Sequence, residues 1–310
     1  MKQTKVQYRT SAAKGRKTGM CTFMERIIGQ LRSLGRERSA EAYTTALRSF
    51  RTFCSGADIA LGTLSSDTMQ AYEAHLRSRG VSMNTISFYM RILRAVYNRA
   101  VEQGHTRQLY PFRHVYTGID KTVKRAVPIG TVRAIRDIDL TARPALEFAR
   151  DMFLFSFYTR GMSFIDMAYL RKADVQNGIL VYRRRKTGQR LSIRWEGCMQ
   201  QIATKYTPQA NDYLLPIIRT SDNERLQYTN AQHLINHHLH ALGRMLRLPA
   251  PLSMYVARHS WASAAKAKHI PLSVISQGMG HDSEATTRIY LASLETSVID
   301  RANRKILDSL

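Results

Sequence analysis

Cysteine is nearly absent from this chain. Cys21, Cys54 and Cys198 lie far apart and none belongs to a Cys-x-x-Cys pair. That excludes a disulfide scaffold or a cysteine-built zinc site as the organising device and fits reduced thiols. Long apolar runs are also missing: none approaches the roughly 20 residues a membrane-spanning helix needs. Residues 1–17 are polar and charged, without the apolar stretch of a secretory signal. Together these absences predict a cytoplasmic protein. Acidic side chains are scarce, 23 Asp and Glu against 47 Lys and Arg, for a formal net charge of +24. The imbalance is not confined to a tail. The first 120 residues hold 19 basic and 8 acidic side chains, and the remainder 28 and 15. A basic excess spread over the whole chain points to a polyanionic partner touched by more than one part of the protein. No internal repeat and no signature of stacking aromatics for single-stranded RNA is present.

What is present is hydrophobic periodicity and its punctuation. Residues 1–18 read as a disordered basic tail that either lies along a polyanion or is simply solvated. Residues 19–106 read as four helices. Phe23, Ile27, Ile28 and Leu31 share a face of the first. Ser39 is expected to cap the second, which carries Tyr43, Leu47, Phe50 and Phe53. Ser65-Ser66-Asp67 opens the third and Gly80 ends it; Ser82 or Asn84 opens the fourth and Gly104 ends it. Residues 107–127 lose periodicity and read as a basic linker. A second domain, 128–296, has a buried helix over 144–158 and then a hairpin. Its strands run from Ile179 to Arg185 and from Leu191 to Trp195, around Lys186-Thr187-Gly188-Gln189. Residues 297–310 read as an amphipathic helix whose stripe (Val298, Ile299, Ala302, Ile306, Leu307, Leu310) packs on its own domain or on a neighbouring protomer. The fold class expected is mainly α with a small antiparallel sheet (α+β).

Four segments carry chemistry. Arg160 follows the buried helix and Lys186 sits at the hairpin turn. Arg258-His259-Ser260 lies on a later helix, and Gly280-His281 precedes Tyr290 by nine residues. Guanidiniums are planar, permanently charged and matched to phosphate oxygens. A phenol, with a reference pKa of about 10, is a better leaving group than an alkoxide, so a phosphotyrosine bond is reversible without ATP. Such a set suits cleavage of a phosphodiester by a protein nucleophile. His237, His238 and His240 lack a matching Cys or carboxylate partner set and read as helix surface. Trp261 and Phe157 read as core. No metal and no cofactor is expected.

In order and spacing these segments resemble the tyrosine recombinase (phage integrase) family, over residues 20 to 295. Thr159-Arg160 with Asp166 and Leu170 is similar to its first arginine segment, and Arg183-Arg184-Arg185-Lys186-Thr187-Gly188 to its hairpin lysine. Ala257-Arg258-His259-Ser260-Trp261-Ala262 is similar to its second arginine helix, and Gly280-His281 with Tyr290 to its nucleophile segment. The resemblance implies a helical, SAM-like core-binding domain followed by a catalytic domain. It further implies that Tyr290 attacks the scissile phosphate to give a 3′-phosphotyrosine, and that Arg160 and Arg258 clamp the non-bridging oxygens. Lys186 then protonates the leaving 5′-oxygen, His281 donates a hydrogen bond to the phosphate, and Asp166 braces the site through an arginine or a backbone amide.

Two departures stand out. Tyr255 occupies the place where the family has histidine, as a substitute phosphate ligand or the mark of a slower site. The Arg160-to-Asp166 interval is about three residues longer than the common pattern, absorbed by Gly161-Met162-Ser163 as a bulged turn. Arg77, Arg79, Arg91, Arg94, Lys121, Lys124 and Arg125 are the candidate contacts to the DNA backbone. The expected partner is double-stranded DNA with inverted-repeat core sites, bound by a homotetramer in synapsis at the nucleoid. A weakened DNA-binding protein of the same fold and a relaxing topoisomerase are the alternatives. Integration, inversion and resolution are not distinguished.

Overall fold

The computed structural model describes residues 18–120, 126–209, 211–291, 304, 307 and 308, leaving aside the side chains of 209, 289 and 290. The basic tail, Lys121, Lys124 and Arg125, and most of the C-terminal stripe lie outside the described residues. The chain divides into two units, Met1–Thr122 and Val123–Leu310.

The first unit contains four helices, α1 (Met20–Ser33), α2 (Glu37–Phe53), α3 (Ser66–Ser78) and α4 (Met83–Glu102). Each buries one stripe at helical spacing, for example Phe23, Met24, Ile27 and Ile28 on α1 and Ile86, Met90, Leu93 and Tyr97 on α4. Ser65 and Ser82 cap α3 and α4 by accepting from the amides of Thr68 and Thr85. Gly80 and Gly104 follow α3 and α4 with φ of 70° and 73°, the left-handed geometry that suits glycine. Ser39 does not cap α2: the helix already begins at Glu37, which places an acid in its first turn. The cap of α1 comes from a distance. Asp58 accepts from the amides of Cys21 and Thr22 at 2.7 and 3.0 Å.

Much of the stretch read as a linker is built into this unit. Phe112 and Val115 are buried in its core. Tyr97 donates its hydroxyl to the carbonyl of Arg107, Glu73 accepts from the amide of Tyr116, and Asn84 bonds the backbone of Asp120 in both directions.

The second unit is ordered α5 (Ile129–Asp137), α6 (Pro144–Tyr158), α7 (Phe164–Ala168), β1 (Val175–Gln176), β2 (Ile179–Arg183), β3 (Arg190–Arg194), α8 (Gly197–Tyr206), α9 (Glu224–Met245), α10 (Met254–Ala267), α11 (Leu272–Met279) and α12 (Glu284–Leu291). The residues of α6 from Ala149 to Ser156 are, but for Arg150, all buried, because α5, α8, α9 and α10 pack around it. The fold is mainly α, with a three-stranded antiparallel sheet in the order β1-β2-β3. Tyr182 pairs with Leu191 and Leu180 with Ile193, so one face of the hairpin enters the core. β2 ends at Arg183, two residues earlier than the alternation implies, because the backbone of Arg184 closes the turn: its amide donates to Gln189 and its carbonyl accepts from Gly188. The two-residue β1 is too short to leave a periodic trace. Ala262, Ala265, Ile275, Met279 and Leu291 form a smaller cluster that seats α12 against α10 and α11.

Leu93 is fully buried at the centre of the first unit. Leu93→Ala is expected to cost about 2–5 kcal/mol. Hydrogen exchange should speed up across α1–α4 while amides of the second unit keep their protection.

Candidate active site

The site starts from the end of α6. Thr159 donates its hydroxyl back to the Phe155 carbonyl at 2.6 Å, and the chain then turns through Arg160 and Gly161 with φ of 61° and 72°. The amides of Gly161 and Met162 both donate to the carbonyl of Ser156, at 2.7 and 3.2 Å. A left-handed conformation costs a side-chain-bearing residue roughly 1–2 kcal/mol, so the surrounding bonds must hold Arg160 there. Gly161 is required for a second reason. A Cβ on it would lie 2.8 Å from Cα of Arg258. This turn accommodates the additional residues between Arg160 and Asp166. The half-exposed Arg160 donates to the carbonyl of Ser192 on β3 at 3.3 Å.

Arg258 projects from α10 into the same region and is 6% exposed. Its Nη1 donates to the Gly161 carbonyl at 2.6 Å, and its Nη2 donates to the Met279 carbonyl at 2.7 Å. The same Nη2 lies 3.0 Å from Nε2 of His281. A guanidinium only donates, so Nε2 accepts; the imidazole proton is then on Nδ1, 2.7 Å from Oγ1 of the buried Thr287. Burial is the main reason that the His281 pKa is pushed down to about 4, with the cations Arg258, Arg184 and Lys186 adding to it. The resting imidazole is therefore neutral and its Nε2 is an acceptor. The phosphate-donor role implied for His281 requires this nitrogen to exchange partner and gain a proton.

Asp166, 3% exposed on α7, accepts from the Arg185 amide at 2.8 Å and from the Ser163 hydroxyl at 2.6 Å, with Arg184 Nε 4.0 Å away. Its bracing therefore runs to the hairpin and not to Arg160. Lys186 is exposed at the hairpin turn, near enough to His281 to depress its protonation. Tyr255 stands in the first turn of α10, 59% exposed, with its ring edge-on to His259 at 4.3 Å between centroids. The backbone of Tyr290 lies in α12; its side chain is outside the described residues.

The structure thus brings Arg160, Arg258 and His281 into one bonded neighbourhood, with the Lys186 hairpin and Asp166 beside it. Two participants carry no distinctive sequence signal by their residue type. One is Thr287. The other is Arg184, which is buried although it sits in a run of basic residues. Its inward position does follow from alternation, since Leu180, Tyr182 and Arg184 are all buried and their neighbours are not. In the first unit Arg79, Arg91 and Arg94 are exposed, while Arg77 is paired with Glu73 at 2.7 Å. Among the described residues no group of three or more His, Cys, Asp or Glu converges, and His237 and His238 only stack edge to face. Chemically, several guanidiniums and a lysine around one buried carboxylate make a site for an anion with several oxygens, such as a phosphodiester.

Comparison with known proteins shows the family and the fold. The sequence matches the phage integrase SAM-like domain over residues 20–115 and the phage integrase family over residues 148–296. No curated protein matches the chain. A lambda integrase dimer bound to a COC′ core site is similar in structure, with a TM-score of 0.68 and 14% identity over 88% of this chain and 77% of that one. A lambda integrase tetramer bound to a Holliday junction gives 0.67 and 12% over 89% and 78%. The Tn1549 transposon integrase in complex with circular intermediate DNA gives 0.63 and 13% over 91% and 99%. At these identities the likeness establishes the fold.

The histidine environment has a measurable consequence. Unfolded, His281 takes up its proton near pH 6.5, and folded only near 4. Between those values the unfolded state binds more protons, so this contribution to stability is complete above about pH 6.5 and lost as pH falls toward 4. Imidazole resonances of the DNA-free protein should show His281 neutral at pH 5.5. A fully protonated His281 at that pH contradicts the assignment.

Proposed function

The chain belongs to the phage integrase family of tyrosine recombinases, and from that membership we propose that it cuts and rejoins DNA at a specific site through a covalent 3′-phosphotyrosine at Tyr290. The observation that carries this reading is Arg258 bonded both to the carbonyl of Gly161, next to Arg160, and to His281, set in a strongly basic chain.

In the proposed reaction the Tyr290 oxygen forms a bond to the scissile phosphorus as the bond to the 5′-oxygen breaks. Lys186 gives its ammonium proton to the departing 5′-oxygen and is reprotonated from solvent, which also receives the phenolic proton. Arg160 and Arg258 neutralise the charge that builds on the non-bridging oxygens, the largest single contribution in reactions of this kind. The phosphate also changes His281. A nearby anion favours the imidazolium, so Nε2 can become a donor to the substrate when the anion is in place. In this reading Tyr255, exposed one turn before Arg258, offers its hydroxyl to the same phosphate. Reversal by a 5′-hydroxyl of another strand needs no external energy, because the phosphodiester energy is held in the tyrosyl ester.

The partner we infer is duplex DNA carrying inverted core sites, with two protomers on each site and four in synapsis. Exposed Arg79, Arg91 and Arg94 supply phosphate contacts from the helical unit, with Lys121, Lys124 and Arg125 as further candidates. Arg77 contributes less, since Glu73 already holds it. Binding should weaken steeply with salt as condensed counterions are released.

The core site can be selected from a pool of random duplexes with the protein itself and rebuilt with a nick beside the cut, so that the cleaved strand end is lost and the adduct is trapped. Wild-type protein is expected to give a covalent adduct on a denaturing gel, Tyr290→Phe none, and Lys186→Ala an adduct formed about 10²–10⁴-fold more slowly. An adduct from Tyr290→Phe overturns the reading. Relaxation of plasmids that lack the site would assign the same chemistry to a topoisomerase.

A further inference from the structure

Arg184 is 6% exposed at the neck of the β2–β3 hairpin, immediately past the last residue of β2. Its neighbours Arg183, Arg185 and Lys186 are exposed. Only Arg184 turns inward, and its guanidinium reaches two other segments. Nη1 donates to the carbonyl of Gly280, the residue before His281. Nε lies 4.0 Å from Oδ2 of Asp166, whose other oxygen accepts from the Arg185 amide. Gly280 is shaped for this contact. It has φ of 63°, and a Cβ on it would lie 2.7 Å from Cδ of Arg184.

The hairpin tip is also held by the Asp166 bond to the Arg185 amide at 2.8 Å and by the Arg185 guanidinium 3.7 Å above the Tyr169 ring, but neither reaches the His281 loop. Among the described residues four buried side-chain polar atoms have no hydrogen-bond partner, and three of them belong to this turn: Arg184 Nε, Thr187 Oγ1 and Gln189 Oε1. Two of the bonds that close the turn start and end on the backbone of Arg184, with its amide to Gln189 and its carbonyl from Gly188, and a third runs from Arg183 Nη1 to the Gly188 carbonyl at 3.3 Å. A buried cation 4.0 Å from its carboxylate is a poor device for stability, because desolvation exceeds what such a loose pair returns. An apolar side chain of similar length would pack there as well. The position of the guanidinium is what distinguishes arginine from that alternative.

We propose that Arg184 is a positioning residue that ties the hairpin bearing Lys186 to the loop bearing His281, so that the general acid and the histidine meet one phosphate in fixed register. The inference rests on the roles given to Lys186 and His281 above. It separates positioning of the acid from support of the domain, and those two roles respond differently to the leaving group. With sulfur in place of the bridging 5′-oxygen, the departing group is a thiolate, whose conjugate acid has a pKa of about 8.5, and it leaves without a donated proton.

The test uses the nicked core-site duplex in two forms, one with oxygen and one with sulfur at the scissile 5′ position. Arg184→Met keeps length and loses the tether; Arg184→Lys keeps the charge and loses the fork that spans Gly280 and Asp166. Arg184→Met is expected to form adduct about 10²-fold more slowly than wild type on the oxygen duplex and at nearly the wild-type rate on the sulfur duplex. Arg184→Lys should fall between the two on oxygen and match wild type on sulfur, and it decides the matter if Arg184→Met does not fold by circular dichroism. Equal slowing on both duplexes, or no slowing on oxygen, overturns the inference. Failure of the underlying reading is seen separately, without any Arg184 variant: wild type gives no adduct, or sulfur does not rescue Lys186→Ala.

Discussion

The site depends on one buried guanidinium. Arg258 binds the Gly161 carbonyl that follows Arg160, the Met279 carbonyl at the end of α11, and the imidazole of His281. Two segments remote in sequence, the turn at 160–161 and the stretch 279–281, are thus referenced to one rigid, planar group. A lysine in its place has a single flexible nitrogen and cannot hold the same three acceptors in a fixed fork. The glycines follow from this centre. Gly161 leaves room for the Arg258 backbone, and Gly280 leaves room for Arg184 on the other side of the His281 loop.

Electrostatics then explains why the site suits DNA. Arg160, Arg184, Arg258 and Lys186 share the site with one buried carboxylate, Asp166, and the balance is positive. In the resting protein burial, reinforced by that positive field, keeps His281 neutral, with its Nδ1 proton directed to Thr287. In the reaction proposed above, a phosphodiester supplies negative charge that favours the imidazolium. The cationic surface that repels itself in the free protein is the feature that favours a complex with a polyanion.

Much of this was legible in the sequence where the signal is local. The stripes of α1 and α4, the caps at Ser65 and Ser82 and the buried α6 all depend on residues within a turn or two of one another. The site segments were legible through their resemblance to a family and not through periodicity. What escaped has a common cause, since it depends on contacts between distant segments. Asp58 caps α1 from more than thirty residues away, and Phe112 and Val115 join a core from a stretch without periodicity. Ser39 looked like a cap because its residue type is right, but α2 had already begun at Glu37. Arg184 was not singled out from the basic run around Lys186, although strand alternation places it on the buried face with Leu180 and Tyr182. Asp166 was expected to brace the site through an arginine or an amide, and the amide that it holds is that of Arg185.

The central claim is that Arg258 organises the site and stabilises the reacting phosphate, and the rate of adduct formation by Arg258→Lys at saturating core-site DNA tests it most directly. A fall of about 10²–10³-fold with DNA affinity largely kept is the result this account requires. Adduct formation at the wild-type rate would contradict it, because a single ammonium would then be doing everything assigned here to the fork.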